Sequence, residues 1–103
     1  MDEDRTDGPE PRPGAIVRVM HIRNEKGLHA RASAKFVQTV EKFDADVRVT
    51  RCGDTVGGTS IMGLMSLAAA CGTDITVEAG GPEAEAVIAA VDALVSSRFG
   101  EDE

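Results

Sequence analysis

The sequence of 103 residues is poor in aromatic side chains: it has no tryptophan, no tyrosine and three phenylalanines. Proteins that bind single-stranded nucleic acid commonly stack bases on aromatic rings, so this composition argues against such a platform. The formal net charge of −7 points the same way, because phosphate backbones are bound by clustered lysine and arginine. We therefore expect no nucleic-acid partner, and a core built from aliphatic side chains and methionine.

Cysteines are equally scarce, and long apolar runs are absent. Cys52 and Cys71 are too few and too widely separated for a zinc finger or a disulfide framework. Together with His21 and His29 they show no metal-ligand spacing, so we expect no metal and no cofactor. No apolar run approaches the roughly 18 residues that a membrane span needs, and the N-terminus resembles no signal peptide. These features predict a cytoplasmic protein without a membrane partner.

Charge is distributed unevenly along the chain. Residues 1–14 contain five acidic residues, three prolines and two glycines but almost no apolar side chain, which predicts a flexible acidic N-terminal tail. Residues 101–103 are all acidic and predict a short acidic C-terminal tail, which leaves one domain at residues 15–100. Within that domain, residues 15–51 carry eight basic and four acidic side chains. This locally basic half suits an anionic ligand or an acidic protein partner.

Hydrophobic periodicity predicts four strands and three helices in the order βαββαβα. The predicted strands are residues 15–23, 45–51, 55–58 and 73–81. The first predicted helix is residues 30–43, the second opens near Ser60 and closes at Gly72, and the third begins at Pro82 and ends by Gly100. This order fits an α+β fold, an open-faced β-sandwich in which three helices lie on one face of a four-stranded antiparallel sheet.

The stretch G27-L-H-A-R-A-S-A-K-F36 places His29 where a loop becomes the first helix. Backbone N–H groups at a helix start have no intrahelical partner, and neutral imidazole is a nucleophile near physiological pH. A phosphoryl group on His29 would meet the N–H groups of Ala30 and Arg31, the Arg31 guanidinium and the Lys26 ammonium. The plainer interpretation is that His29 only caps the helix and that Arg31 is a solvated surface charge.

The string G-L-H-A-R resembles the active-site motif of HPr, the histidine phosphocarrier of the phosphoenolpyruvate-dependent phosphotransferase system. T59-S-I-M-G-L-M-S-L67 resembles the second signature of that family, and the resemblance covers residues 15–100. It implies an HPr-like fold and a monomer that acts as a carrier and not as a stand-alone turnover enzyme. It also implies that an enzyme I-type donor phosphorylates Nδ1 of His29, that Arg31 stabilises the phosphate, and that an enzyme IIA-type protein accepts it.

The second signature carries two further predictions. Ser60 matches the regulatory serine of the family, which implies phosphorylation by a serine kinase/phosphorylase; the alternative is a simple N-cap. The helix that follows is apolar nearly all round, more than one buried stripe requires, so part of it is expected to be exposed for docking. The predicted docking residues are Lys26, Lys35, Ile61, Met62 and Met65, while Leu64 and Leu67 are expected in the core.

The sequence departs from the family at one place. The residue after Arg31, usually proline in sugar-transport members, is Ala32, and Ser33 follows. The form H-A-R-A-S resembles the regulatory, nitrogen-related (NPr-like) branch, which implies a regulatory phosphorelay. The alternative is a regulatory binding module controlled by Ser60 phosphorylation with little phosphoryl flux. The two hypotheses differ in the downstream partner.

Overall fold

The computed structural model describes residues 14–102, and their elements follow the predicted order. The strands are β1 (Ile16–His21), β2 (Asp46–Arg51), β3 (Asp54–Gly57) and β4 (Asp74–Gly80). The helices are α1 (Ala30–Val40), α2 (Ile61–Ser66) and α3 (Ala84–Ser96), followed by a short 3-10 turn at Arg98–Gly100. Residues 1–13 of the predicted acidic N-terminal tail lie outside the described residues.

The four strands form one antiparallel sheet in the order β1-β4-β2-β3. Alternate residues point to one face, where Met20 pairs with Ile75 and Val49 with Val77, all of them buried. The same face receives the apolar sides of the helices, including Phe36 of α1. On β1 the opposite alternation leaves Val17, Val19 and His21 exposed. The open-faced α+β sandwich predicted from the periodicity is confirmed.

Helix α2 is shorter than its apolar pattern predicts, ending at Ser66 instead of near Gly72. The carbonyl of Leu67 accepts a hydrogen bond from Arg51 Nη1 at 3.1 Å, and the carbonyl of Ala69 accepts one from the backbone N–H of Leu28 at 2.9 Å. Ala68 between them has a positive φ of 53°. Tertiary hydrogen bonds therefore replace the last helical turn, which local periodicity cannot reveal.

The other two helices also differ from their predicted bounds. Helix α1 ends at Val40, three residues before the predicted end. Pro82 is not the first helical residue, since α3 begins at Ala84 with Glu83 as its N-cap. Glu83 instead ties this end to the segment after α1: its backbone N–H donates to the Asp44 carbonyl at 3.0 Å, and its carboxylate accepts from the Asp44 N–H at 2.6 Å.

Helix α3 ends at Ser96, and a left-handed turn follows it. Arg98, Phe99 and Gly100 have φ values of 60°, 55° and 75°. This conformation costs roughly 1–2 kcal/mol for each residue other than glycine. Burial of the Phe99 ring offsets part of that cost, and Lys35 Nζ donates to the Phe99 carbonyl at 2.6 Å. The turn reverses the chain, so that Glu101 comes back to the start of α1.

Truncation of Phe99 is therefore expected to be costly. We expect Phe99→Ala to lower the free energy of unfolding by about 3–5 kcal/mol, because a fully buried aromatic ring is lost from a strained turn. Urea denaturation at equilibrium measures the loss. Phe43→Ala is the matched control, since Phe43 is only partly buried. Equal losses in the two variants would contradict an anchoring role for Phe99.

Candidate active site

His29 is the N-cap residue of α1, as the sequence predicts. Its backbone is extended, with φ −78° and ψ −174°, and its Nδ1 accepts a hydrogen bond from the backbone N–H of Arg31 at 3.2 Å. An N–H group can only donate, so Nδ1 must carry a lone pair. In the neutral ring the proton therefore resides on Nε2.

A close backbone approach fixes the loop before His29. Gly27 has a φ of +68°, and a Cβ atom at this position would lie 2.4 Å from the Ala69 carbonyl oxygen. Both facts require glycine, because other residues resist this φ and a side chain would strike the backbone. The neighbouring Leu28 N–H donates to that same Ala69 carbonyl. The loop of the first motif thus contacts the backbone two residues after the second motif.

A third segment completes the site. Nε2 of His29 lies 2.6 Å from Oε2 of Glu101, a residue 72 positions away in the sequence. The other oxygen, Oε1, accepts a hydrogen bond from Asn24 Nδ2 at 3.1 Å. Asn24 is fully buried and also donates to the Gly27 carbonyl at 2.8 Å. The sequence predicts that Glu101 belongs to an acidic tail and gives no indication of a role for Asn24. Neither contact follows from a local sequence pattern.

Glu101 is held in its ionised form. Burial alone would raise the pKa of its carboxyl group, but the hydrogen bonds from Asn24 and His29 and the charges of His29 and Lys26 act in the opposite direction. The net result is a pKa of Glu101 below its ordinary value of 4.5. A carboxylate therefore faces the protonated ring nitrogen at neutral pH.

The predicted cations occupy different positions around this centre. Lys26, Arg31 and Lys35 line an open depression of about 470 Å³ beside Glu101. Arg31 and Lys26 are exposed, and Lys26 also lines a notch that includes His29. Lys35 is half-buried, with its Nζ on the Phe99 carbonyl. It thus has an intramolecular partner that the sequence did not indicate, and its docking role stays a prediction.

Helix α2 presents an apolar surface next to His29. Ile61, Met62 and Met65 are 40%, 78% and 39% exposed, whereas Leu64 and Leu67 are buried, as the sequence predicts. A notch of about 210 Å³ at the histidine is lined by the segment that follows α2, together with the loop before α1; its lining residues are Lys26, Leu28, His29, Ala68, Ala69 and Ala70. The role of the exposed residues in docking stays a prediction.

Ser60 is the N-cap of α2. Its Oγ accepts a hydrogen bond from the Gly63 N–H at 2.9 Å, and the residue is exposed. The capping geometry agrees with both hypotheses for this serine, since an exposed hydroxyl can cap a helix and still be reached by a kinase. Its phosphorylation stays a prediction.

The remaining candidate ligands are dispersed. His21 pairs with Asp74 at 2.7 Å on the exposed end of β1, and Cys52 and Cys71 are free and exposed. Within residues 14–102, no group of three or more histidine, cysteine or acidic side chains is arranged to hold a metal ion. No helix in this part of the chain has the length and apolar character to cross a membrane.

Comparison with known proteins identifies the family. A family model described as "PTS HPr component phosphorylation site" matches residues 16–97. The chain belongs to the HPr family of phosphocarriers of the phosphotransferase system. The match includes His29, Ser60 and all four strands, so the HPr resemblance noted in the two motifs extends over residues 16–97.

Curated HPr proteins resemble the chain over nearly their whole length. The phosphocarrier protein HPr of Neisseria meningitidis (strain Z2491) is 53% identical over 85 residues, which cover 82% of this chain and 94% of the relative. The phosphocarrier protein HPr of Cupriavidus necator is 46% identical over 82 residues, covering 80% of this chain and 92% of the relative.

Solved HPr structures share the fold. HPr-C-His from Thermoanaerobacter tengcongensis superimposes with a TM-score of 0.82 at 39% identity, covering 85% of this chain and 99% of that one. HPr from Bacillus anthracis gives a TM-score of 0.75 at 38% identity, covering 79% and 96% of the two chains. The open-faced sandwich of this chain is therefore the HPr fold.

The close approach at Gly27 predicts a sharp difference between two glycines with positive φ. We expect Gly27→Ala to lower the free energy of unfolding by about 2–4 kcal/mol, from backbone strain plus the clash with Ala69. Gly53→Ala is the control, because Gly53 has a φ of +85° but no atom within 4 Å of an added Cβ. We expect the Gly53→Ala substitution to lower the free energy of unfolding by about 1 kcal/mol. Thermal and urea unfolding measure both, and similar losses would argue against the approach.

Glu101 should make stability depend on pH. Because folding lowers its pKa, the carboxylate contributes stability above pH 4.5, and this contribution is lost as the pH falls through the folded pKa. We expect wild type to be more stable than Glu101→Gln at neutral pH, with a difference that shrinks once the pH falls below 4.5. Urea titrations across this range measure it. A difference independent of pH would refute the ionised pair.

Proposed function

We propose that His29 accepts a phosphoryl group on Nδ1 and passes it to a second protein. The observation that carries this proposal is the hydrogen bond from the Arg31 N–H to Nδ1, which leaves this nitrogen with a lone pair. The proton lies on Nε2, toward Glu101. Attack by neutral Nδ1 therefore needs no general base, in contrast to a serine or threonine nucleophile.

The start of α1 is arranged to receive the charge that arrives. Once phosphorus occupies the Nδ1 lone pair, the Arg31 N–H loses its acceptor and can donate to a phosphate oxygen instead. The N–H of Ala30, among the first of the helix, has no intrahelical partner and is the second donor. The exposed guanidinium of Arg31 supplies a bidentate contact, and Lys26 adds a further positive charge.

The partners we propose are an enzyme I-type donor and an enzyme IIA-type acceptor, both protein components of the phosphotransferase system. Each must place its own reactive group within bonding distance of Nδ1. The exposed side chains of Ile61, Met62 and Met65 on α2 offer an apolar docking surface for this purpose, and the segment after α2 lines the notch at His29. Flexible methionines let one surface fit two different partners in turn.

We propose that the phosphorelay belongs to a regulatory pathway, because the string H-A-R-A-S resembles the NPr-like branch of the family. Ala32 and Ser33 are both fully buried, and Ser33 Oγ donates to the Leu28 carbonyl at 3.2 Å. Ser33 thus ties the helix start to the loop, whereas a proline at position 32 would give rigidity through its ring. This arrangement leaves the phosphate ligands in place. The chemistry we propose is therefore that of the sugar-transport members, and the difference lies in the protein that accepts the phosphoryl group.

In this proposal Ser60 is a second modification site, which a serine kinase/phosphorylase phosphorylates. A phosphate on its exposed Oγ would add about −1.5 to −2 charges next to Ile61 and Met62. The new charge would repel an acidic partner. Burying the phosphate in an apolar interface would also cost desolvation free energy. Modification of Ser60 would therefore select among partners without touching His29.

Phosphorylation by phosphoenolpyruvate and an enzyme I-type protein tests the main proposal. We expect wild type to gain one acid-labile phosphate, visible by intact mass and ³¹P NMR, and His29→Ala to gain none. Arg31→Ala should still be phosphorylated, but about tenfold or more slowly, because a charged phosphate ligand is lost.

His21→Ala is the matched control, since His21 is the other of the two histidines and is exposed. It should be phosphorylated at the wild-type rate. Phosphate on His21, or none on the wild type with an active enzyme I-type donor, would overturn the carrier role. Binding of a partner without any phosphoryl transfer would favour the alternative, a binding module controlled through Ser60.

A further inference from the structure

We propose that residues 6–12 pair with the outer edge of β1 as a fifth, antiparallel strand and thereby close that edge of the sheet. The family match begins at residue 16, so this segment lies outside the matched region. The inference goes beyond the proposed function and does not depend on it, because no step of the phosphoryl transfer involves these residues. The flexible tail predicted from composition is then limited to residues 1–5.

Strand β1 forms one edge of the sheet. It comes first in the order β1-β4-β2-β3, and no other strand of residues 14–102 lies on its outer side. Four of its six residues are exposed, among them Val17 at 43% and Val19 at 61%. Natural edge strands are kept short, carry a proline or a charge, or are covered by another segment. The opposite edge, β3, has only four residues, whereas β1 is longer and contains no proline. Of the two edges, β1 is the one that needs a cover.

The backbone groups of Val17 and Val19 point away from the sheet. Ile22 continues the register of β1 with β4, and its N–H donates to the Thr73 carbonyl at 2.8 Å. Backbone groups of successive strand residues point to opposite sides, so the even-numbered residues of β1 face β4. The odd-numbered residues therefore offer their N–H and C=O groups to a further strand.

The far side of the sheet gives the same alternation independently. The Gly58 N–H donates to the Val47 carbonyl at 2.8 Å, on the side of β2 that faces β3. The even-numbered residues of β2 therefore face β4, and they pair with even-numbered residues there, as Arg48 does with Glu78. The odd-numbered residues of β4 then face β1, where their partners are even-numbered.

The sequence before Gly14 has the complementary alternation. Prolines occupy positions 9, 11 and 13, while positions 8, 10 and 12 hold glycine, glutamate and arginine. Proline has no N–H and is tolerated on an edge strand where its nitrogen faces solvent. A hairpin with an even number of loop residues pairs the even-numbered residues of this segment with the odd-numbered residues of β1. Every N–H that this pairing needs is present, and the prolines face outward, where they prevent a further strand from adding.

Gly14 allows the chain to reverse into such a hairpin. It lies in a turn and has a φ of +78°, which glycine adopts at little cost. The loop is either residues 13–14 or residues 11–14, and both loops place a proline opposite Ile16. The half-buried Ile16 borders a depression of about 440 Å³, which Ala84 and Ala86 of α3 also line. A proline ring in this depression would bury apolar surface against Ile16.

Charge and chain stiffness favour this segment over a separate partner. The corner around Gly14 is acidic, because Asp44 and Asp46 line one depression at this glycine and Glu83 lines another. Arg12 brings a positive charge to that corner, since it is only two residues away along the chain. Alternate prolines restrict the unpaired segment, so pairing costs less conformational entropy. Direct attachment to β1 also gives the segment a high effective concentration.

Amide hydrogen exchange of the full chain, measured residue by residue by NMR, tests the pairing. In the wild type the N–H groups of Val17 and Val19 should exchange about tenfold or more slowly than unprotected amides, because they bond to the segment. The Arg18 N–H faces β4 and reports the integrity of the sheet. It should stay protected in the wild type and in every variant.

The decisive comparison is Glu10→Pro with Asp7→Pro. Both substitutions remove one acidic side chain and add one proline ring, but only position 10 has its N–H directed at β1. Glu10→Pro should bring the exchange of Val17 and Val19 to within about threefold of the unprotected rate, since a pairing donor is lost. Asp7→Pro should leave the wild-type protection. Glu10→Gln retains the N–H and should also behave as wild type, which separates the backbone effect from the charge.

Contacts between α-protons identify the register. A nuclear Overhauser effect from Ile16 to Pro11 indicates the two-residue loop, one from Ile16 to Pro9 indicates the four-residue loop, and either supports the inference. Unprotected Val17 and Val19 amides in the wild type would overturn it, as would equal exchange in Glu10→Pro and Asp7→Pro. Protection that increases with protein concentration would also overturn it, because a second copy of the chain would then occupy the edge.

Discussion

The backbone approach of Gly27 to Ala69 is the constraint on which the site depends. It joins the loop before α1 to the segment after α2, through the Leu28 N–H and the Ala69 carbonyl. Two consequences follow. The chain enters α1 at an angle that makes His29 its N-cap, and the last turn of α2 is given up because its carbonyl groups bond elsewhere. The loop that carries His29 and the segment that follows α2 are thereby joined.

Both ring nitrogens of His29 are hydrogen-bonded, one to a donor and the other to an acceptor. The Arg31 N–H requires an acceptor at Nδ1, and the Glu101 carboxylate requires a donor at Nε2. Only one neutral tautomer satisfies both. In the transfer proposed for His29, the backbone N–H of Arg31 already lies where a phosphoryl group on Nδ1 would arrive. Such preorganisation would lower the reorganisation that the transfer requires.

The charged side chains near the histidine differ in their exposure to solvent. Arg31 and Lys26 are exposed, whereas Glu101 and Lys35 are at least half-buried and bonded within the domain. In the transfer proposed above, the two exposed cations are the ones that would contact the phosphoryl group. The sequence predicts Arg31 and Lys26 as contacts of the phosphoryl group and Lys35 as a docking residue, but it places Glu101 in an acidic C-terminal tail.

The sequence by itself determined the element order, the helix N-cap at His29, the capping serine and the buried and exposed sides of α2. These follow from periodicity and capping chemistry, which act over a few residues. Tertiary structure decided the early end of α2, the position of Pro82, the buried Asn24 and above all the contact of Glu101 with His29. That contact joins residues 72 positions apart through a left-handed turn at Phe99, which is not a glycine. The packing of Phe99 and the hydrogen bond from Lys35 stabilise this turn, and both are long-range contacts that no local sequence pattern reveals.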